Sequence, residues 1–347
     1  MELKLCTYAT VTTLGDFGPW ISKVVLDLPC TVRANDIDAN TFHIYVERHE
    51  RSGDVLMRKE RGADHAAPSV GYIDILAAYP CDENGRKLAV GTHVALLTKK
   101  IEGGVMGSRM LDDQLHITQL AALPGNDGDD PTCGLVFDTC RGDICPALKG
   151  WSNDTQKTAV DGIALEYGFF EPSFKAEDSA CFNPFAPEAT AVPQKAPLVV
   201  YLHGAGEGKG ATRAYIGNRV TAISQAQIQR YFGGFAWVLV PQSPTFWMDN
   251  GVEQLGHSNQ SIYSPVLKAL IDEFVAEHAD RIDTDRIVVA GLSNGGFMTL
   301  RLCADYPDFF AAGLPCCAPW YNATDEDVAA LAKTPLWFTH SKGDELV

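Results

Sequence analysis

Basic residues are scarce in this chain: 28 lysines and arginines stand against 44 aspartates and glutamates, a net charge of −16. A surface of that sign repels phosphate backbones and anionic lipids, so neither nucleic acid nor a membrane surface is expected as a partner. Charged residues of both signs reach only 21%, against 46% hydrophobic and 10% aromatic, which argues for packed cores rather than disorder. No apolar run approaches the roughly 18 residues of a membrane helix. The opening Met1-Glu2-Leu3-Lys4-Leu5-Cys6 lacks the basic region and apolar stretch of a secretory signal. The expectation is a soluble, cytoplasmic protein, with secretion left open if the chain is a fragment. Its ten cysteines are then expected as reduced thiols. Cys133, Cys140 and Cys145 cluster, but their spacing matches no common zinc pattern; a local disulfide or plain loop cysteines are expected there. No metal and no cofactor is implied. Internal repeats and low-complexity tracts are absent.

What is present divides in two. At 347 residues the chain exceeds one ordinary domain. In the first part Phe42 to Glu47 alternates apolar with more polar residues, the period of a half-buried strand. Ile21 to Leu28, Val70 to Tyr79, His93 to Thr98 and Leu115 to Leu120 extend the series, and Asp82-Glu83-Asn84-Gly85 supplies a turn. Short strands without a helix between them predict an all-β sandwich over residues 1–155, its last part (Gly125 to Lys157) a loosened, polar boundary. From residue 156 to 347 the pattern changes. Apolar runs at Leu198 to Leu202, Phe235 to Val240, Ile287 to Ala290 and Leu336 to Thr339 alternate with helical spacing, as at Leu267, Leu270, Ile271, Phe274 and Val275. That alternation predicts a mainly parallel sheet flanked by helices. A Pro- and Ala-rich connector, Asn183 to Pro197, reads as a surface loop.

The chemistry is concentrated in the second part. Gly291-Leu292-Ser293-Asn294-Gly295 follows a β-type run directly and leads into a helical stretch carrying Phe297, Leu300 and Ala304. Strand, tight turn, helix is the setting of a nucleophile elbow, in which Ser293 is strained, Gly291 and Gly295 avoid collisions, and the Asn294 amide faces the developing oxyanion. The rival reading is a Gly-rich turn with an idle serine. The run Leu198 to Leu202 opens into His203-Gly204-Ala205-Gly206-Glu207, where Ala205 or Gly206 would supply a second oxyanion-hole amide. His203 reads as structural, bonded to nearby backbone. A phosphate loop is set aside because the Gly-Lys-Ser/Thr ending is missing. The late run ending at Thr339 carries Asp344 in its loop, after the serine in chain order, as the acid of a triad would be.

Together these segments, with Val240-Pro241-Gln242-Ser243-Pro244, Trp247 and Asp285-Arg286, resemble the prolyl-oligopeptidase-like esterases of the α/β-hydrolase superfamily, over roughly Asp161 to Val347. Some members of that group carry an N-terminal immunoglobulin-like domain, which residues 18 to 120 resemble. The resemblance implies an α/β hydrolase preceded by an immunoglobulin-like sandwich, with Ser293 as nucleophile and Asp344 as acid. It makes Trp247 either a wall of the substrate cleft or core packing. The implied substrate is a small-molecule ester or, as the alternative, a peptide; the sandwich would shape the cleft or set homo-oligomeric contacts. One departure is sharp: the family's catalytic histidine follows the acid, and no histidine follows Asp344. Among the nine histidines, His340, His257 and His278 do not sit where the fold delivers the base. The expectation is a fragment cut before that histidine. The contrasting reading is an inactive hydrolase fold serving as a carbohydrate- or partner-binding protein.

Overall fold

A computed structural model describes residues 3–16, 18–50, 52–59, 62, 64–102, 104–105, 109–110, 112–125, 130–173, 194–208, 214–255 and 257–345. The chain divides into two compact units, residues 1–105 with 109–147, and residues 106–108 with 148–347.

The first unit is strand-rich. Its strands are β1 (Lys4–Gly15), β2 (Gly18–Arg33), β3 (Phe42–His49), β4 (Val70–Ile73), β5 (Ile75–Cys81), β6 (Val90–Glu102), β7 (Asp112–Gln119) and β8 (Leu135–Ile144). They form one eight-stranded sheet in the order β4-β3-β7-β8-β1-β2-β6-β5. β1 joins the two wings, pairing parallel with β8 and antiparallel with β2. Period-two alternation explains the core: Phe42, Ile44 and Val46 of β3 point inward while His43, Tyr45 and Glu47 do not. Inward residues of both wings share one cluster, Val24 and Leu26 of β2 with Leu96 of β6 alongside Ile117 of β7 and Phe137 of β8. Each such side chain, fully buried, contributes about 1.5–3 kcal/mol. The expected turn forms, with the Gly85 N–H donating to the Asp82 carbonyl at 2.9 Å. Val70 to Tyr79, expected as one strand, breaks into β4 and β5 on opposite edges of the sheet.

The second unit contains β9 (Trp151–Thr155), β10 (Glu166–Phe170), β11 (Ala196–Leu202), β12 (Trp237–Gln242), α1 (Tyr263–Glu277), β13 (Ile282–Leu292), α2 (Asn294–Asp305), β14 (Ala312–Cys316) and α3 (Asp325–Leu331). The sheet order is β9-β10-β12-β11-β13-β14. β12, β11, β13 and β14 are mutually parallel, and β9 and β10 add two antiparallel ladders at one edge. β11 and β12 are buried almost throughout. Strands covered on both faces need continuous apolar runs, which is why these were visible in the sequence. α1 lays Val266, Leu267, Leu270, Ile271 and Phe274 on the sheet, where Phe274 meets Trp237 edge to face at 5.9 Å.

Three further expectations need correction. The stretch from Gly125 to Lys157 is not simply a loosened boundary, since it contains β8 and β9, which belong to different units. Of the connector expected from Asn183 to Pro197, residues 183–193 lie outside the described residues, and Ala196 and Pro197 already belong to β11. The run Leu336 to Thr339 is not a buried strand. It touches β14 through single parallel bridges at Leu336 and Thr339, and Trp337 and Phe338 are 73% and 58% exposed.

Candidate active site

Ser293 sits between β13 and α2 at φ 54°, ψ −115°, a conformation that a non-glycine residue adopts only at a cost of about 1–3 kcal/mol. The surrounding contacts hold it there. Its N–H donates to the Cys316 carbonyl at 2.8 Å, tying the turn to the end of β14. A Cβ on Gly291 would lie 2.2 Å from the Gly295 carbonyl oxygen, so only glycine lets the turn close. A Cβ on Gly295 would lie 2.1 Å from the Leu202 oxygen and 2.5 Å from the His203 oxygen. The start of α2 therefore rests directly on the end of β11, and the steric role expected of both glycines has a physical basis. Ser293 itself is only half-buried.

Asn294 begins the helix, and its backbone N–H, like others of a first turn, has no intrahelical acceptor. Its side chain is buried and its Oδ1 accepts the Trp247 N–H at 2.7 Å. Trp247 does not line a cleft. Its ring is 0% exposed, packed against His203 at 4.9 Å and Tyr263 at 5.9 Å, so the core reading of this residue replaces the cleft-wall reading. Large aromatic rings bury readily, and here only the backbone of Trp247 reaches toward the turn.

After β11 the chain makes a tight turn over Ala205–Glu207. The Gly204 N–H donates to Glu207 Oε2 at 2.9 Å and the Glu207 N–H to the Gly204 carbonyl at 3.2 Å. The N–H groups of Ala205 and Gly206 make no backbone hydrogen bond among the described residues. They lie two and three residues after His203, whose carbonyl faces Gly295 at the start of α2. Burial pushes the Glu207 carboxyl up, opposed by hydrogen bonds from Gly204 and Asn218.

His203 is structural. The Ser243 N–H donates to its Nε2 at 3.0 Å, so the proton resides on Nδ1, which donates to the Gly204 carbonyl at 2.7 Å. Burial lowers its pKa to about 4, so the ring is neutral at ordinary pH. His278 is stacked on Trp237 at 4.5 Å, and His257 packs on Tyr321 at 4.8 Å.

Asp344 lies in the turn after Thr339, where its N–H donates to the Ser341 carbonyl at 3.3 Å. Its carboxylate is 3.5 Å from His340 Nε2, four residues earlier on the same segment. That segment is fastened to the serine turn through Cys316 and Cys317. The Thr339 carbonyl accepts the Cys317 N–H at 2.7 Å, while the Cys316 carbonyl holds Ser293. Burial raises the Cys317 thiol pKa; the Ser293 backbone opposes this through a hydrogen bond and the Asp344 charge adds to it, so the thiol senses both residues. Sequence reading did not single out Cys317, whose left-handed φ of 39° reflects how sharply the chain turns there. No histidine is bonded to Ser293 among the described residues. Cys133 and Cys140 are free thiols, and no cluster of metal-binding side chains occurs among the described residues.

A parallel sheet, a strained serine between strand and helix, and a Gly-rich turn after the neighbouring strand define the second unit as an α/β-hydrolase fold. Residues 247–344 match the family model of the prolyl oligopeptidase family. Two curated relatives agree in part. NocK of Nocardia uniformis subsp. tsuyamanensis, which bears an esterase name, is 30% identical over 128 residues, 36% of this chain and 34% of that protein. Poly(3-hydroxyalkanoate) depolymerase C of Paucimonas lemoignei is 29% identical over 153 residues, 42% of this chain and 33% of that protein. The matched stretches thus span about a third of each relative's length. A solved structure described as a thermostable esterase superposes with a TM-score of 0.72 at 21% identity, covering 98% of this chain and 84% of that one. At that identity the likeness speaks for the fold.

Proposed function

We propose that this chain carries the nucleophile and oxyanion machinery of a serine hydrolase that cleaves carboxylic esters through an acyl-enzyme on Ser293. The observation that carries the reading is the strained Ser293 held at the strand–helix turn, with Gly295 of that turn packed against the end of the strand that leads into Ala205 and Gly206. In this mechanism Ser293 Oγ attacks the ester carbonyl carbon. Its proton passes to a histidine base and from there to the departing alcohol, while the amides of Asn294 and of Ala205 or Gly206 receive the oxyanion. Water, deprotonated by the same base, then attacks the acyl carbonyl and releases the acid as the proton returns to Ser293 Oγ. Asp344 is assigned as the acid that orients and stabilises the imidazolium of a histidine base. Its present partner His340 lies on its own segment rather than on the serine. Esters are favoured over peptides because both curated relatives bear names for ester-cleaving proteins. No step in this scheme calls for a metal or cofactor.

For the first unit we infer an immunoglobulin-like sandwich. A strand shared between two wings, parallel to one neighbour and antiparallel to the other, with both wings contributing to one core, supports that reading.

A fluorophosphonate probe tests the function in the full natural polypeptide. Labelling that disappears in Ser293→Ala supports the assignment. Labelling that persists in the variant removes it, and a natural polypeptide that is folded yet never labelled favours the inactive binding protein.

A further inference from the structure

The Ala205–Glu207 turn presents a physical problem. The segment His203-Gly204-Ala205-Gly206-Glu207-Gly208 is half glycine, and glycine backbones lose the most freedom on being fixed. An oxyanion donor is useful only if it is held before the charge develops, because a displacement of about 1 Å costs on the order of 100-fold in rate. Something must therefore restrain this turn.

Glu207 is the residue placed to do so. Its Oε2 accepts the Gly204 N–H at 2.9 Å, closing a ring around Ala205 and Gly206. The same oxygen accepts from Asn218 Nδ2 at 2.7 Å. Its backbone carbonyl accepts from Gln242 Nε2, at the end of β12. Both ends of the residue are thus anchored, one to the loop around Asn218 and the other to the sheet. Asn218 and Arg219 both adopt left-handed conformations, at φ 46° and 51°. Consecutive non-glycine residues in that region are costly, and the Asn218 amide is delivered to Glu207 from this conformation. The Gly204 N–H would otherwise be a buried donor without an acceptor.

We propose that Glu207 is a positioning residue, whose carboxylate fixes the Ala205 and Gly206 amides in the orientation that receives the oxyanion. This rests on reading the segment as part of the Ser293 site. Glu207 does not touch the substrate; it acts through Gly204, so its removal lowers turnover and leaves substrate affinity alone.

The test measures kcat and KM for a short-chain aryl ester with the full natural polypeptide, its Glu207→Ala, Glu207→Gln and Asn218→Gly variants, and Ser293→Ala. Glu207→Ala is expected to lose about 10- to 100-fold in kcat with KM within about twofold. Glu207→Gln keeps an acceptor for Gly204 and is expected to recover most of that loss. Asn218→Gly preserves the left-handed backbone while deleting the amide, and is expected to lose several-fold in kcat; it stands in for Glu207→Ala if that variant does not fold. Folded Glu207→Ala or Asn218→Gly with wild-type kcat overturns the proposal, as does a loss carried by KM. Activity surviving in Ser293→Ala instead removes the underlying reading of the site, so the two failures are distinguishable.

Discussion

The backbone N–H of Trp247 donates to Oδ1 of Asn294 at 2.7 Å, joining the segment after β12 to the residue that follows the candidate nucleophile. Both groups are buried, so neither can fall back on water. The bond fixes the first residue of α2, while the Ser293 N–H is tied separately to the Cys316 carbonyl at 2.8 Å.

Removing that acceptor should therefore be felt globally. Asn294→Ala leaves a buried N–H unsatisfied and is expected to lower unfolding free energy by about 1–3 kcal/mol. Denaturant titration measures it; an unchanged midpoint would mean that the bond contributes nothing.

Backbone strain at Ser293 gives a second expectation with the opposite sign. Glycine tolerates φ 54° and alanine does not, so Ser293→Gly should be more stable than Ser293→Ala by about 1 kcal/mol. Equal thermal midpoints for the two variants would argue against stored strain.

Gly295→Ala forces a methyl group onto the backbone oxygens of Leu202 and His203, at 2.1 and 2.5 Å. It is expected to destabilise by about 1–3 kcal/mol or more and to abolish fluorophosphonate labelling. Gly343→Ala meets nothing within 4 Å and serves as the stability control. Similar unfolding midpoints for the two would show that the elbow can relax.

His203 makes stability depend on pH with a definite sign. Burial lowers its folded pKa to about 4 from an ordinary 6.5, so between those values the unfolded chain binds the extra proton. Its contribution is whole above pH 6.5 and is lost as pH falls toward 4, at about 1.4 kcal/mol per pH unit. Unfolding free energies of wild type and His203→Gln, compared across that window, should fall more steeply with decreasing pH in wild type, the variant keeping only the slope of the other titrating groups such as His278.

The sequence made the elbow legible because its constraints are local: a buried parallel strand is a continuous apolar run, and a turn this tight admits only small neighbours. Edge and bridging strands were far less visible. β9 is Trp151-Ser152-Asn153-Asp154-Thr155 and mostly exposed, and β8 buries only Leu135 and Phe137 before running into polar residues. Each is anchored by only one or two packed side chains, Leu135 and Phe137 in β8 and Trp151 stacked on Tyr215 at 4.8 Å in β9, too few to print an apolar period along the strand. β1, which joins the two wings of the first sheet, was not anticipated for a different reason: its buried centre, Tyr8-Ala9-Thr10-Val11, mixes small and hydroxyl-bearing residues and shows no apolar alternation. Trp247 failed differently. Composition states that an indole will be buried, but only packing decides whether it is buried by core or by substrate. The supporting contacts of Glu207, Asn218 and Gln242 join residues up to 35 positions apart, a distance over which motif spacing carries no information.

The central claim is that Ser293 becomes acylated. Rapid acid quench of the full natural polypeptide during turnover of an activated aryl ester, followed by peptide mass mapping, reads this directly. One acyl group on the peptide containing Ser293, lost in Ser293→Ala, is the expected result. Turnover with no acyl adduct on that peptide, or an adduct on another residue that survives Ser293→Ala, would contradict it.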